Sequence, residues 1–275
     1  MYTPTIGVSL ELEVYPLDAK AFRLPLPFPV DHLEGIVYSP DGRVLYSEDR
    51  ESPLRPLKLF KVEFNPTRAS LIPGSERLLA IYTFAVSARQ DKLIIVGLER
   101  GKEAPEMIEL DVATGNLRTV VENFATNHLK KFVYIHLSLS PDGARATVME
   151  NQKVKLVELS SGRMTDLGEG FEDASWSPDG KWLAVRKGGT TILLDAQTFK
   201  EWRVLGATRL FWSPDSRFLL NAKVGWGIDQ LLCALSEAVT LEMVDVETGS
   251  RTEVGSSRCH INMYTFGWVS SEVSP

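Results

Sequence analysis

A repeated hairpin motif constrains the fold of this chain more than any other feature. Trp176 to Val185 reads WSPDGKWLAV, which is an apolar strand, a four-residue turn and a second apolar strand. In Ser-Pro-Asp-Gly, proline presets φ for the first corner, aspartate bonds nearby backbone, and glycine accepts the positive φ that closes the reversal. The near-copies are VYSPDGRVLYS from Val37, LSLSPDGARATV from Leu137 and LFWSPDSRFLLN from Leu210. We therefore interpret four aspartates as turn residues and not as catalytic or metal-binding groups, namely Asp41, Asp142, Asp179 and Asp215.

The spacing of the copies predicts a structural repeat. The turn serines at 140, 177 and 213 are 37 and 36 residues apart, the length of about four short strands with their turns. Two degenerate copies, around Ser87 and Ser270, bring the turn positions to 39, 87, 140, 177, 213 and 270. A second polar turn follows five of them, at 64–68, 111–116, 159–163, 195–200 and 245–251, and a sixth at 16–20 precedes them all.

The two ends of the chain complement each other. The strands predicted at roughly Thr5–Tyr15 and Ala21–Leu26 have no first hairpin, and the C-terminal strand Ile261–Val269 has no second one. Pairing them in one sheet closes a ring and satisfies strand edges. The sequence therefore predicts an all-β fold, a six-bladed β-propeller closed by pairing the N-terminal strands with the C-terminal strand. Seven blades are the alternative, if the long spacing of 53 positions from Ser87 to Ser140 includes another sheet, although residues 99–108 are too polar for one.

We expect a single domain over residues 1–275, because one repeat covers nearly the whole chain. The predicted blades are approximately 30–72, 81–121, 132–167, 171–205, 208–254, and 258–275 together with 1–28.

These repeats resemble a known family. The segment SPDGRVLYSEDRESPLRPLKLFKVE, with WSPDGKWLAV and WSPDSRFLLN, is similar to the WD-like repeats of TolB-type propellers and to the propeller domain of prolyl-oligopeptidase-like peptidases. The resemblance implies a fold used as a protein-docking platform, as a peptidase gate, or as a scaffold for unrelated sites.

Composition and motifs exclude several function classes. The net charge of -6 and the absence of a dense Lys/Arg run argue against nucleic acid as a partner. GxSxG, P-loop, HExxH and EF-hand patterns are absent, and the four scattered histidines and two cysteines, Cys233 and Cys259, predict no metal site or cofactor. No signal peptide or membrane-spanning stretch is present, which predicts a cytoplasmic protein, or a periplasmic one if a signal peptide has been removed. We also expect a monomer.

Alignment of the inner strands on their turn serine separates two faces. One and three residues before the serine stand mostly large apolar residues, which we assign to packing between blades. Four residues before it stand His136, Asp173 and Arg209 in three successive blades. We expect these three side chains near one another at the channel mouth, where they either bind a ligand or partner or form an inter-blade ion pair.

Long loops supply the second candidate surface. The connections Ser47–Pro56, Leu98–Glu106 and Lys223–Gln230 are expected on one face, with Arg50, Arg55, Arg100 and Trp226 as partner-binding residues. The sequence thus predicts a non-enzymatic scaffold that binds a protein or peptide through its loop-rich face. The alternatives are a channel-centred enzyme or small-molecule or metal-binding propeller, and the propeller part of a peptidase whose hydrolase domain is absent.

Overall fold

The computed structural model describes most of the strands and part of the connections. The described residues are 2–8, 11–14, 22–25, 33–39, 44–49, 58–63, 68–124, 137–150, 153–168, 170–206, 211–223, 238–258 and 265–270. They form β-strands, turns and a single 3-10 turn, Ser75–Arg77. The all-β class predicted from the repeat is confirmed.

The strands assemble into four-stranded antiparallel sheets, six of them within the described residues. The N-terminal strands are β1 (Tyr2–Val8), β2 (Glu11–Val14) and β3 (Phe22–Pro25). The next two sheets contain β4 (Leu33–Tyr38), β5 (Val44–Asp49), β6 (Lys58–Glu63) and β7 (Arg68–Leu71), then β8 (Leu78–Val86), β9 (Lys92–Glu99), β10 (Glu106–Asp111) and β11 (Leu117–Val121).

Three further sheets follow the same order of strands. They contain β12 (Leu137–Leu139), β13 (Arg145–Glu150), β14 (Lys153–Glu158) and β15 (Met164–Asp166), then β16 (Asp173–Trp176), β17 (Trp182–Lys187), β18 (Thr190–Asp195) and β19 (Glu201–Val204), then β20 (Phe211–Trp212), β21 (Phe218–Lys223), β22 (Ala238–Asp245) and β23 (Arg251–Arg258). The last strand, β24 (Thr265–Ser270), pairs with β1, so the terminal sheet has the order β24-β1-β2-β3.

One strand prediction at the N-terminus is wrong. The single strand expected at Thr5–Tyr15 is two strands, β1 and β2, which pair antiparallel with Val8 opposite Glu11. The apolar alternation Val8, Leu10, Leu12, Val14 continues through the reversal without a Gly or Pro, so no residue type marks it.

The first strands of successive sheets lie beside one another. β4 contacts β8, β8 contacts β12, β12 contacts β16, and β16 contacts β20. β20 also contacts β24, and β24 contacts β4. We call these six strands the inner strands, and β3, β7, β11, β15, β19 and β23 are the outer edges of their sheets.

The core lies between neighbouring sheets. One cluster joins Tyr46 and Leu59 of the β4–β7 sheet to Leu93 and Ile95 of the next sheet, and all four side chains are fully buried. The inner-strand positions assigned to packing fit this arrangement. These positions lie one or three residues before a turn serine. The buried ones are Phe84, Val86, Leu137, Ala174, Trp176 and Trp212.

The turn serine closes its hairpin in five of the repeats, those of Ser39, Ser87, Ser140, Ser177 and Ser213. At Ser177 the backbone N–H donates to the Trp182 carbonyl (2.9 Å), and the side-chain Oγ accepts the Trp182 N–H (2.9 Å) and donates to Asp179 (2.7 Å). Asp179 also accepts the N–H of Lys181 at 3.1 Å, and Gly180 has φ 72°. The same bonds recur at Ser140 and Ser213. The turn interpretation is confirmed for Asp142, Asp179 and Asp215, whereas Asp41 lies outside the described residues.

Candidate docking face

The antiparallel order of each sheet sorts its connections onto two faces. The turns between first and second strands and between third and fourth strands share one end, which we call the turn face. Backbone bonds join them, because Val112 donates to the Asp91 carbonyl and Val246 to the Arg217 carbonyl, both at 2.9 Å. We call the opposite end the loop face. Its described segments are 72–77, 100–105, 122–124, 167–168, 170–172, 188–189 and 205–206.

Carboxylates on the turn face are committed to local hydrogen bonds. The Ser140 hydroxyl and the Ala144 N–H hold the pKa of the Asp142 carboxyl below its usual range. Thr198 lowers the pKa of Asp195 in the same way, through its backbone N–H and its hydroxyl. Each of these two carboxylates accepts the bonds that fix its turn, so it is committed to local structure.

The loop face carries a charged cluster at the start of β16. Asp173 is half-buried and accepts the Ala174 N–H at 2.8 Å. Arg186 lies directly opposite Asp173 on β17, and its Nε is 3.3 Å from a carboxylate oxygen of Glu172. The other Glu172 oxygen accepts the Gly188 N–H at 3.1 Å. We call Glu172, Asp173 and Arg186 the mouth cluster.

The repeat alignment predicts Asp173 but neither Glu172 nor Arg186. A signal for Arg186 does exist, because the turn has a fixed length and pairs the residue four before its serine with the residue nine after it. That partner is Arg186 in the β16–β19 sheet and Val96 in the β8–β11 sheet. The β16–β17 pair therefore places two opposite charges side by side on the loop face.

Two other predicted mouth residues, His136 and Arg209, lie outside the described residues. His136 directly precedes β12, and Arg209 is two residues before β20. Their approach to Asp173 stays a prediction.

Arg100 lies in the connection between β9 and β10, on the loop face. The connection is shorter than expected, since β9 extends to Glu99 and β10 begins at Glu106. Glu106 is almost fully buried and accepts Lys102 Nζ at 3.1 Å, while Glu99 pairs with Arg77 at 2.5 Å. The loop is thus fixed at both ends, and the Arg100 side chain is exposed. The other predicted loop residues, Arg50, Arg55 and Trp226, lie outside the described residues.

The described residues hold no group of three or more His, Cys, Asp or Glu side chains placed to bind a metal ion. Cys233 and Cys259 fall outside them. Within the same residues, no helix is long and apolar enough to cross a membrane.

Solved structures define the class of fold. TolB from Acinetobacter baumannii superimposes with a TM-score of 0.69 at 13% identity, over 98% of this chain and 66% of TolB, so this chain spans just under two thirds of that protein. A putative TolB from Agrobacterium tumefaciens gives 0.61 at 14% identity over 93% of this chain and 88% of that one. A chain of the nidogen/laminin complex gives 0.66 at 11% identity over 98% and 99%.

No protein-family model matches the chain, and no curated protein does. The three superpositions nevertheless show that the protein has a TolB-like β-propeller fold, as its repeats indicated. At these identities the likeness establishes the fold alone.

Proposed function

We propose that this protein is a non-enzymatic scaffold, a single six-bladed propeller that binds a protein or peptide through its loop face. The observation that carries the proposal is the contrast between the two faces. The turn aspartates are bound within their own turns, whereas Arg100 of the loop face is exposed on a loop that ion pairs fix at both ends, and the mouth cluster lies on the same face. Charged side chains held on a rigid scaffold are typical of recognition surfaces.

The ring itself is part of the proposal. Six inner strands that contact one another in a cyclic order, together with the pairing of β1 with β24, support six blades closed by the two ends of the chain.

In this proposal Arg50, Arg55, Arg100 and Trp226 contact the partner around the rim, and His136, Asp173 and Arg209 contact it at the mouth. Arg186 joins the mouth residues because it lies opposite Asp173. One of the similar structures is a chain of the nidogen/laminin complex, which is consistent with a protein partner here.

Site-specific photo-cross-linking tests the proposal. A photoreactive residue at Arg100 should capture a defined partner from the native host lysate, and one at Thr248, exposed on the turn face, should not. Arg100→Glu should lower binding of the purified partner several-fold, whereas Glu247→Arg, a matched charge reversal on the turn face, should leave it unchanged. Equal cross-linking from both faces would overturn the assignment of the loop face.

The mouth cluster also supports a second candidate, a small polar ligand bound in the channel. An acidic and a basic side chain held side by side can orient such a ligand. A metabolite or divalent cation that raises the melting temperature of the wild type, but not that of Asp173→Asn, would favour this candidate over the scaffold.

A further inference from the structure

Two basic side chains at the outer strand β19 lack the ion pairs that neutralise arginines on other outer strands. Arg118 of β11 and Arg251 of β23 pair with glutamates of their own sheets at 2.8 and 3.1 Å. Lys200, which directly precedes β19, is exposed, and Arg203 on β19 is half-exposed. Neither has an ion-pair partner within the described part of the chain, so both keep their charge for a partner.

The register of β19 places these two cations on one face of the sheet. Leu193 lies opposite Arg203, and Leu194 lies opposite Glu201. Leu193 packs toward the β20–β23 sheet and Leu194 toward the β12–β15 sheet, so Arg203 and Glu201 belong to different faces. Lys200 comes one residue before Glu201, and strand alternation places it on the face of Arg203. The face toward the β20–β23 sheet is therefore basic at this point.

Trp202 stands between the two cations on the same face. Its ring stacks on Trp182 with centroids 4.3 Å apart and an interplanar angle of 20°, and Trp182 packs against the core shared with the β20–β23 sheet. The guanidinium carbon of Arg203 is 5.1 Å from the Trp202 centroid, yet Trp202 is 44% exposed. A ring fixed in this way loses little conformational entropy when a partner covers it, and Trp and Arg are enriched in interface hot spots.

The surroundings of this face leave the two cations unneutralised. Arg203 Nη1 lies 3.6 Å from the position that a Cβ on Gly249 would take, so the guanidinium borders bare backbone of the β22–β23 turn. Asp195 belongs to the same face as Trp182, its cross-strand partner. Its carboxylate is committed to its own turn, where it accepts the N–H and the hydroxyl of Thr198 at 2.7 and 2.8 Å.

We propose that Lys200, Trp202 and Arg203 form a docking site for an acidic segment of a partner protein, and we call them the lateral surface. Carboxylates of the segment pair with the ammonium and guanidinium groups, and an apolar side chain beside them covers the exposed part of the indole. Trp182 and Arg203 already lie over the ring, which leaves little open face for a stacked nucleobase and favours a peptide. A contact of three side chains is small and gives a transient complex.

Fluorescence anisotropy with the full chain tests the proposal. The probe is a labelled peptide in which a central phenylalanine is flanked on both sides by glutamates and aspartates. The wild type should bind it, and Lys200→Glu and Arg203→Glu should each weaken binding by about tenfold, because like charges then meet. Trp202→Ala should weaken binding as well. The same peptide with glutamine and asparagine in place of its acids should bind about tenfold more weakly.

Two charge changes serve as matched controls. Arg163 holds the position of Lys200 in the β12–β15 sheet, because its carbonyl accepts the Glu158 N–H at 2.9 Å, as the Lys200 carbonyl accepts the Asp195 N–H. Arg163→Glu should leave the affinity within about twofold at about 0.15 M salt, where distant charges are screened. Glu201→Lys, on the opposite face of β19, should do the same.

Failure of the acidic peptide to bind, equal binding of its neutral counterpart, or equal losses for Arg163→Glu and Lys200→Glu would overturn the proposal. A single-stranded oligothymidylate that binds more tightly than the peptide, and is lost in Arg203→Glu, would overturn it in favour of nucleic acid. Lys200 is exposed, so its variant keeps the test independent of folding even if Trp202→Ala destabilises the protein. The lateral surface lies on the side of the ring, and its test does not depend on the loop face.

Discussion

At the scale of single residues, the turn serine contributes more to the repeat than the sequence motif indicates. Proline, aspartate and glycine are the turn formers that the motif displays, but the serine hydroxyl is the group that bonds both arms of the hairpin. Ser39, Ser140, Ser177 and Ser213 are all buried, and each Oγ accepts the N–H of the residue five positions later. A buried hydroxyl with this role is more sensitive to substitution than an exposed turn residue.

We expect Ser177→Ala to lower the free energy of unfolding by about 1–3 kcal/mol, because the Trp182 N–H loses its acceptor and Asp179 loses a donor. Urea denaturation measures the change. Ser161→Ala is the matched control, since the Ser161 side chain lies in an exposed turn and accepts only a long bond from Arg163 at 3.3 Å. Its effect should stay within about 0.5 kcal/mol. Similar losses for both variants would contradict the role assigned to the buried hydroxyl.

The glycine of the motif is less essential than its sequence suggests. Gln90 and Ser216 occupy the glycine position of their turns with φ of 59° and 60°. Ser216 gains a bond in exchange, because its Oγ accepts the Asp179 N–H of the neighbouring sheet at 2.9 Å. The copy around Ser87 was recognisable without a glycine because its strand patterning survived. The bond that compensates at Ser216 comes from a residue 37 positions away and leaves no local signal.

At the scale of strands and sheets, side-chain bonds to backbone connect one sheet to the next. The indole N–H of Trp212 donates to the Ser175 carbonyl at 3.0 Å. The backbone N–H of Trp176 donates to Ser138 Oγ at 2.9 Å. The equivalent indole of Trp176 is buried, and its N–H has no hydrogen-bond partner among the described residues. Two tryptophans at the same repeat position therefore differ in how well their polar group is satisfied.

We expect Trp212→Phe to destabilise the protein by about 1 kcal/mol more than Trp176→Phe. Both changes remove a similar volume, but the first leaves the Ser175 carbonyl without its donor and the second removes an unpaired buried N–H. Part of the difference is offset, since Arg145 lies 4.9 Å above the Trp176 ring and interacts less strongly with phenylalanine. Parallel urea titrations measure both values, and a larger loss for Trp176→Phe would contradict this account.

The register of strand pairing explains which residues of the mouth cluster could be predicted from the sequence. Counting back from a turn serine located Asp173 correctly at the start of β16, because the strand period and the turn length are fixed. Arg186 could be reached by counting forward across the same turn. The position of the exposed Trp202 could not, since it lies at a β-bulge between β18 and β19 that no residue type in the sequence marks.

At the scale of the whole molecule, the repeat was sufficient to predict the TolB-like fold, while the ends of the chain carried the least local information. The pairing of β1 with β24 joins residues at opposite ends of the sequence, with Tyr2 opposite Ser270 and Thr3 opposite Val269. Such a pairing costs much loop-closure entropy and gains it back only when the other sheets have formed. The sequence indicated it solely because each end lacked the hairpin that the other supplied.

Cysteine cross-linking across this pairing tests whether the chain closes into a ring. In a background with Cys233 and Cys259 changed to serine, we expect Thr3→Cys/Val269→Cys or Tyr2→Cys/Ser270→Cys to form a disulfide. Consecutive antiparallel pairs alternate in geometry, so one of the two suits the bond better. The cross-link closes a loop of nearly the whole chain, for which chain entropy gives up to about 5 kcal/mol, so the oxidised protein should melt several degrees above its reduced form. The control pair Thr3→Cys/Trp268→Cys is out of register and should cross-link poorly. If it forms a disulfide as readily as the paired positions, or if none forms, the ends do not hold the register that closes the ring.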